Sequence, residues 1–132
     1  MRGVLVQEHG GPEVLTAQDL PSPEPGPAQL RVDVAAAGVN FIDVYYRTGA
    51  YPLPTPFIVG SEGAGVVSAV GADVTGYQKG DHVAWAMVPG AGYAEQVLGP
   101  LQTPGPLPAG HRARTAGPGA RHAPDAARPV RK

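Results

Sequence analysis

Cysteine is absent from the chain's 132 residues. That excludes disulfide bracing, a thiol nucleophile and any thiolate metal site, and it fits a reducing, cytoplasmic setting. Aromatic residues make up only 6%, as five tyrosines, two phenylalanines and one tryptophan, so a place where several gather stands out. No apolar run approaches the roughly 20 residues that cross a bilayer. Met1 to Gln7 alternates apolar and polar side chains and lacks the pattern of a secretion signal. A soluble protein of at most one domain is expected. What is plentiful is glycine and proline, 19 and 16 residues, which breaks the chain into short elements.

The formal net charge of −1 hides a split. Residues 1–98 hold four Lys/Arg against ten Asp/Glu, and residues 99–132 hold six against one. The last 34 residues also contain seven prolines, five glycines and seven alanines with no aromatic residue. Such a segment buries too little apolar area to offset its ordering entropy, so a disordered Pro/Ala/Arg-rich tail is expected over 101–132. Arginines without interleaved aromatics make nucleic acid an unlikely partner for it.

Before that tail the pattern is one of short strands. Arg2–Gln7 and Val14–Leu20 flank the turn His9-Gly10-Gly11-Pro12 and predict a hairpin. Pro21–Pro27 is too proline-rich for regular structure. Leu30, Val32 and Val34 alternate with Arg31 and Asp33, the period of a half-buried strand running to Ala37. Further strands are expected over Phe57–Val70, His82–Met87 and Tyr93–Leu98. The fold class is therefore mainly β, a partly open barrel with one short helix.

That helix lies in the stretch where the aromatics gather, G-V-N-F-I-D-V-Y-Y-R-T-G-A-Y-P. Asn40 is a favoured N-cap and Asp43 stands three positions on, as in a capping box; Gly49 ends the helix. Helical spacing puts Asn40, Asp43, Val44 and Arg47 on one flank and Phe41 with Tyr45 on the next. Tyr46 is rotated about 100° from Tyr45, so one of the two is available to a ligand and the other is turned away. On spacing alone, packing of a core is the plainer explanation.

The same run, followed by P-F-I-V-G-S-E-G-A-G-V-V-S-A-V-G, closely resembles the catalytic-domain motif of NADPH-dependent quinone oxidoreductases. These are zeta-crystallin-like members of the medium-chain dehydrogenase/reductase superfamily. H-G-G-P-E-V-L upstream and G-D-H-V and G-Y-A-E downstream resemble that family in the same order, so the likeness covers about the first 100 residues. It implies that residues 1–100 form a GroES-like domain and that hydride passes from NADPH to a quinone or activated alkene. It places Tyr45, Tyr51 and Asn40 at substrate positioning or oxyanion stabilisation, and Asn40, Phe41 and Tyr45 at the cofactor. Intact relatives are often homodimers. Zinc enzymes of the superfamily carry cysteine where Asn40 stands and G-H-E where Gly60-Ser61-Glu62 stands, so no metal site is expected here. Arg47 has Asp43 or Glu62 as candidate partners, Glu62 is read as structural, and so is His82 in G-D-H-V.

G-S-E-G-A-G is not a dinucleotide fingerprint, because a β-branched run follows it where a helix is required. The resemblance implies a Rossmann domain that this sequence does not show, hence a truncated chain expected to be inactive alone. In the family the segment after G-Y-A-E runs through R-L-V-P and P-E-Q-A. Gln102–Pro106 can be back-translated so that the frame one base later reads R-R-L-V-P, and His111–Thr115 so that it reads I-E-P-E-Q. A frameshift near Leu101 follows from this, with a natural disordered extension as the other reading. A stand-alone GroES-like binding module with a basic tail stays open as the alternative function.

Overall fold

The computed structural model describes residues 1–100 and 105–106. The frameshift and the disorder expected for the remainder of the tail lie outside the described residues. Strand β1 (Arg2–Val6) pairs antiparallel with β2 (Leu15–Asp19), from Arg2 opposite Asp19 to Val6 opposite Leu15. This is the hairpin expected from the sequence, with a difference in its turn. Val14 belongs to a 3-10 turn over Pro12–Val14, because Pro12 presets the helical φ and Glu13 turns back to accept the Gly11 N–H at 2.9 Å.

The long strand β3 (Gln29–Ala37) is flanked by β5 (Gly63–Val70) and β7 (Gln96–Pro100). β6 (His82–Trp85) pairs with β5, and β8 (Gly105–Pro106) with β6, which gives a five-stranded sheet in the order β7-β3-β5-β6-β8. The alternation read from Leu30 and Val32 places both side chains in the core with Val67, Val83, Trp85, Ala91 and Val97. Burial of each large aliphatic side chain stabilises the fold by about 1.5–3 kcal/mol. Trp85 completes its burial by donating Nε1–H to the Ala91 carbonyl at 2.6 Å.

Three expected strands differ in extent. Phe57–Val70 is not one strand: β4 (Phe57–Ile58) joins β1 in a three-stranded sheet, order β2-β1-β4, while β5 belongs to the larger sheet. Gly60 makes the break, with φ 98° and so little space that a Cβ would lie 2.7 Å from the Gly92 Cα. β6 stops at Trp85 rather than Met87, whose φ is 61°. Regular pairing in the last expected strand begins at Gln96 rather than Tyr93.

The residues before Gln96 stitch the two sheets together. Tyr93 donates its N–H to the Val59 carbonyl at 2.7 Å and accepts the Val4 N–H at 2.8 Å, while Val34 N–H reaches the Glu95 carbonyl at 2.8 Å. An isolated bridge joins Gly3 and Ala94. The result is the partly open barrel expected, with one helix, α1 (Phe41–Thr48), leaving its rim. No helix among the described residues is long and apolar enough to cross a membrane.

Candidate functional site

β3 delivers the chain through Gly38 and Val39 to Asn40, the extended N-cap residue of α1. The Asn40 N–H is held by the Asp43 carboxylate, Oδ2 at 3.0 Å, the returning half of a capping box. At the other end Gly49 adopts φ 81°, and its N–H bonds the Tyr46 carbonyl at 3.2 Å. His9, from the turn after β1, closes this end: its Nδ1 lies 3.1 Å from the Tyr46 carbonyl and 3.3 Å from that of Arg47. The C-terminal end of this eight-residue helix is thus tied to the turn after β1, and its N-terminal end is capped from within.

The face turned outward is aromatic. Phe41 and Tyr45 stand one turn apart, with ring centroids 5.5 Å apart at 72°, and Tyr45 meets Tyr51 at 5.2 Å and 59°. Tyr51 opens the proline-rich loop 51–56, and its own N–H bonds the Tyr45 carbonyl at 3.1 Å. Phe41 is 73% exposed, Tyr51 54% and Tyr45 39%, whereas Tyr46 is half-buried, its ring centroid 6.4 Å from that of Tyr51. Phe41, Tyr45 and Tyr51, all singled out from the sequence, thus form one ledge with Asn40 at its head. Exposed tilted rings of this kind offer flat apolar surface and phenolic hydrogen-bond groups to a planar ligand.

Behind the ledge lies a cluster that the sequence did not reveal. Asp43 is 5% exposed, and besides the Asn40 N–H it accepts the Ser61 hydroxyl at 2.9 Å on Oδ1 and the Tyr93 hydroxyl at 2.8 Å on Oδ2. Burial raises the Tyr93 phenol above its usual range, assisted by the Asp43 hydrogen bond and by the charges of Asp43 and Glu62. Tyr93 is therefore held as a donor. Arg47 pairs with neither Asp43 nor Glu62 among the described residues, and its Nε is buried without a hydrogen-bond partner. Glu62 lies against the backbone of Gly38, so closely that a Cβ at Gly38 would fall on its carboxylate. His82 sits half-buried on β6 opposite Val66. No group of three or more His, Cys, Asp or Glu side chains is gathered to hold a metal among the described residues.

This barrel with its rim helix defines the class: the chain belongs to the alcohol dehydrogenase GroES-like domain family, whose model matches residues 26–112. Within that class it is similar to quinone oxidoreductases. The Pseudomonas aeruginosa quinone oxidoreductase is 53% identical over 88 residues, covering 66% of this chain and 27% of the relative; the Mus musculus quinone oxidoreductase is 41% identical over 111 residues, covering 82% and 34%. Among solved structures, the quinone oxidoreductase of Pseudomonas syringae aligns with a TM-score of 0.81 at 41% identity over 85% of this chain and 35% of the other. The Escherichia coli quinone oxidoreductase complexed with NADPH aligns at 0.78 and 33% over 86% and 35%. The chain thus spans about a quarter to a third of the length of the relatives it matches.

Proposed function

We propose that residues 1–100 are the substrate-facing GroES-like domain of a zinc-independent oxidoreductase, acting in hydride transfer from NADPH to a quinone or an activated alkene. The observation that carries this reading is the exposed ledge of Phe41, Tyr45 and Tyr51 with Asn40 at its head. Relatives that share this domain include quinone oxidoreductases, among them that of Escherichia coli complexed with NADPH.

The donor chemistry at the head of the ledge supports independence from zinc. Asn40 offers an amide and Ser61 a hydroxyl already donated to Asp43, and neither is the thiolate or imidazole that zinc prefers. For the cofactor, the residues present fit only the nicotinamide end. The Asn40 amide supplies a donor and an acceptor, and Phe41 an apolar face. NADPH supplies hydride when bound. A quinone that receives it gains charge on its oxygen, and the Tyr45 and Tyr51 hydroxyls, with the Asn40 amide, are groups on the ledge able to donate to that oxygen. The Tyr45 backbone is set by the helix and the Tyr51 backbone by its bond to the Tyr45 carbonyl, and their ring centroids lie 5.2 Å apart, which keeps both donors on one ledge.

The test is a titration of the chain with menadione, a naphthoquinone, followed by amide resonances. The reading expects the largest shifts at Asn40, Phe41, Tyr45 and Tyr51. Saturable shifts elsewhere with none on this ledge would overturn it.

A further inference from the structure

Resting on that reading of the ledge, we infer that Asp43, with Ser61 and Tyr93, forms a positioning device that sets Asn40 and the first turn of α1 for the ligand while touching no ligand itself. Three chain segments meet on one carboxylate. Asn40 brings the end of the β3 connection, Ser61 the turn between the two sheets, and Tyr93 the strip that stitches the sheets together. The carboxylate is nearly sealed from water, so each of these bonds acts in a low-dielectric setting where charge-assisted hydrogen bonds are strong and directional.

The geometry explains why the helix needs an acid there. An aspartate offers about four lone-pair positions, and three donors arrive, two at Oδ2 and one at Oδ1. Ordinary capping uses one of them. The other two bonds, from Ser61 and Tyr93, fix the carboxylate to the barrel, so that the Asn40 N–H is registered to the barrel and not only to its own helix. Ser61 and Tyr93 are themselves tied into the barrel: Ser61 is fully buried, its carbonyl accepting the Val88 N–H at 2.8 Å, and the Tyr93 backbone bonds both Val59 and Val4. The raised phenol of Tyr93 keeps its proton on the donor side of the contact.

The inference is tested on the full 132-residue chain with Tyr93→Phe and Ser61→Ala, each of which removes one hydroxyl and leaves Asn40 in place. Both variants are expected to move the Asn40 backbone and side-chain amide resonances and to speed exchange of the Asn40 N–H. Menadione affinity should weaken roughly tenfold, equivalent to ~1.4 kcal/mol. Ser61→Thr, which keeps the hydroxyl, restores all three readouts. Folded variants with wild-type Asn40 resonances and exchange overturn the inference, whatever their Tm. Should either variant not fold, the wild-type chain decides. Exchange of the Asn40 N–H at the rate of an open helix terminus overturns the inference, and protection supports it. A wild-type ledge that no menadione perturbs defeats the proposed function, while the Asn40 readouts still judge the positioning device.

Discussion

Asp43 stands three residues from Asn40 and could be read as a cap from spacing alone, but its other two partners lie 18 and 50 residues away in sequence. No periodicity links them. Ser61 stands out in the sequence where zinc relatives carry histidine, and Tyr93 as the start of an expected strand within G-Y-A-E, but neither points to Asp43, because a hydrogen bond between distant loops leaves no pattern in one sequence. Its energetic weight makes it measurable. Asp43→Ala would leave the Ser61 and Tyr93 hydroxyls and the Asn40 N–H without their acceptor. Charge-assisted bonds contribute about 1.5–3 kcal/mol each and are not additive, so a loss of roughly 3 kcal/mol in urea unfolding is expected. Tyr93 adds a pH signature. Its folded phenol is raised above the unfolded value near 10, so its contribution is fully present below about pH 10. Above that the unfolded chain releases the proton first, and stability falls as pH rises. Comparing wild type with Tyr93→Phe by denaturant unfolding across that range should show the extra decline in the wild type alone.

At the scale of elements, α1 was legible because every signal agreed: an Asn cap, an acid at the third position, an arginine in the last turn and a glycine stop. The strand expected over Phe57–Val70 failed for the opposite reason. Its glycines Gly60, Gly63 and Gly65 each permit a bend or a close approach, and only packing of Gly60 on Gly92 shows that the chain turns there from one sheet to the other. The helix stop makes a sharp prediction. At Gly49 φ is 81°, and a Cβ would lie 3.0 Å from the His9 ring, the group that covers the last carbonyls of α1. Gly49→Ala should cost about 1–2 kcal/mol from the left-handed backbone and displace His9 as well. A smaller loss of about 1 kcal/mol is expected for His9→Ala, since this contact lies at an exposed helix end. Thermal unfolding of the two variants and their double mutant should show less than additive losses, because both act on the same contact.

The whole molecule poses the question of how a cofactor of this size is held. The described residues present a ledge suited to a flat ring, and their only α-helix, α1, begins at Phe41 behind its N-cap Asn40, whose N–H is already taken by the Asp43 carboxylate. A dinucleotide needs a glycine-rich turn opening a helix to receive its phosphates, and the glycine-rich segment Gly60–Gly65 runs instead into β5. No glycine-rich turn among the described residues therefore opens a helix to receive the phosphates. Nicotinamide contacts at Asn40 and Phe41 alone should give NADPH a Kd no tighter than about 1 mM, or ~4.1 kcal/mol. Calorimetry on the 132-residue chain, with resonance shifts to locate the contact, measures this directly. Millimolar binding centred on Asn40 matches a domain that supplies the substrate wall and relies on other residues for the phosphates. Micromolar binding would instead mean that this chain holds the phosphates itself, and the ledge would then be one part of a cofactor site complete within it.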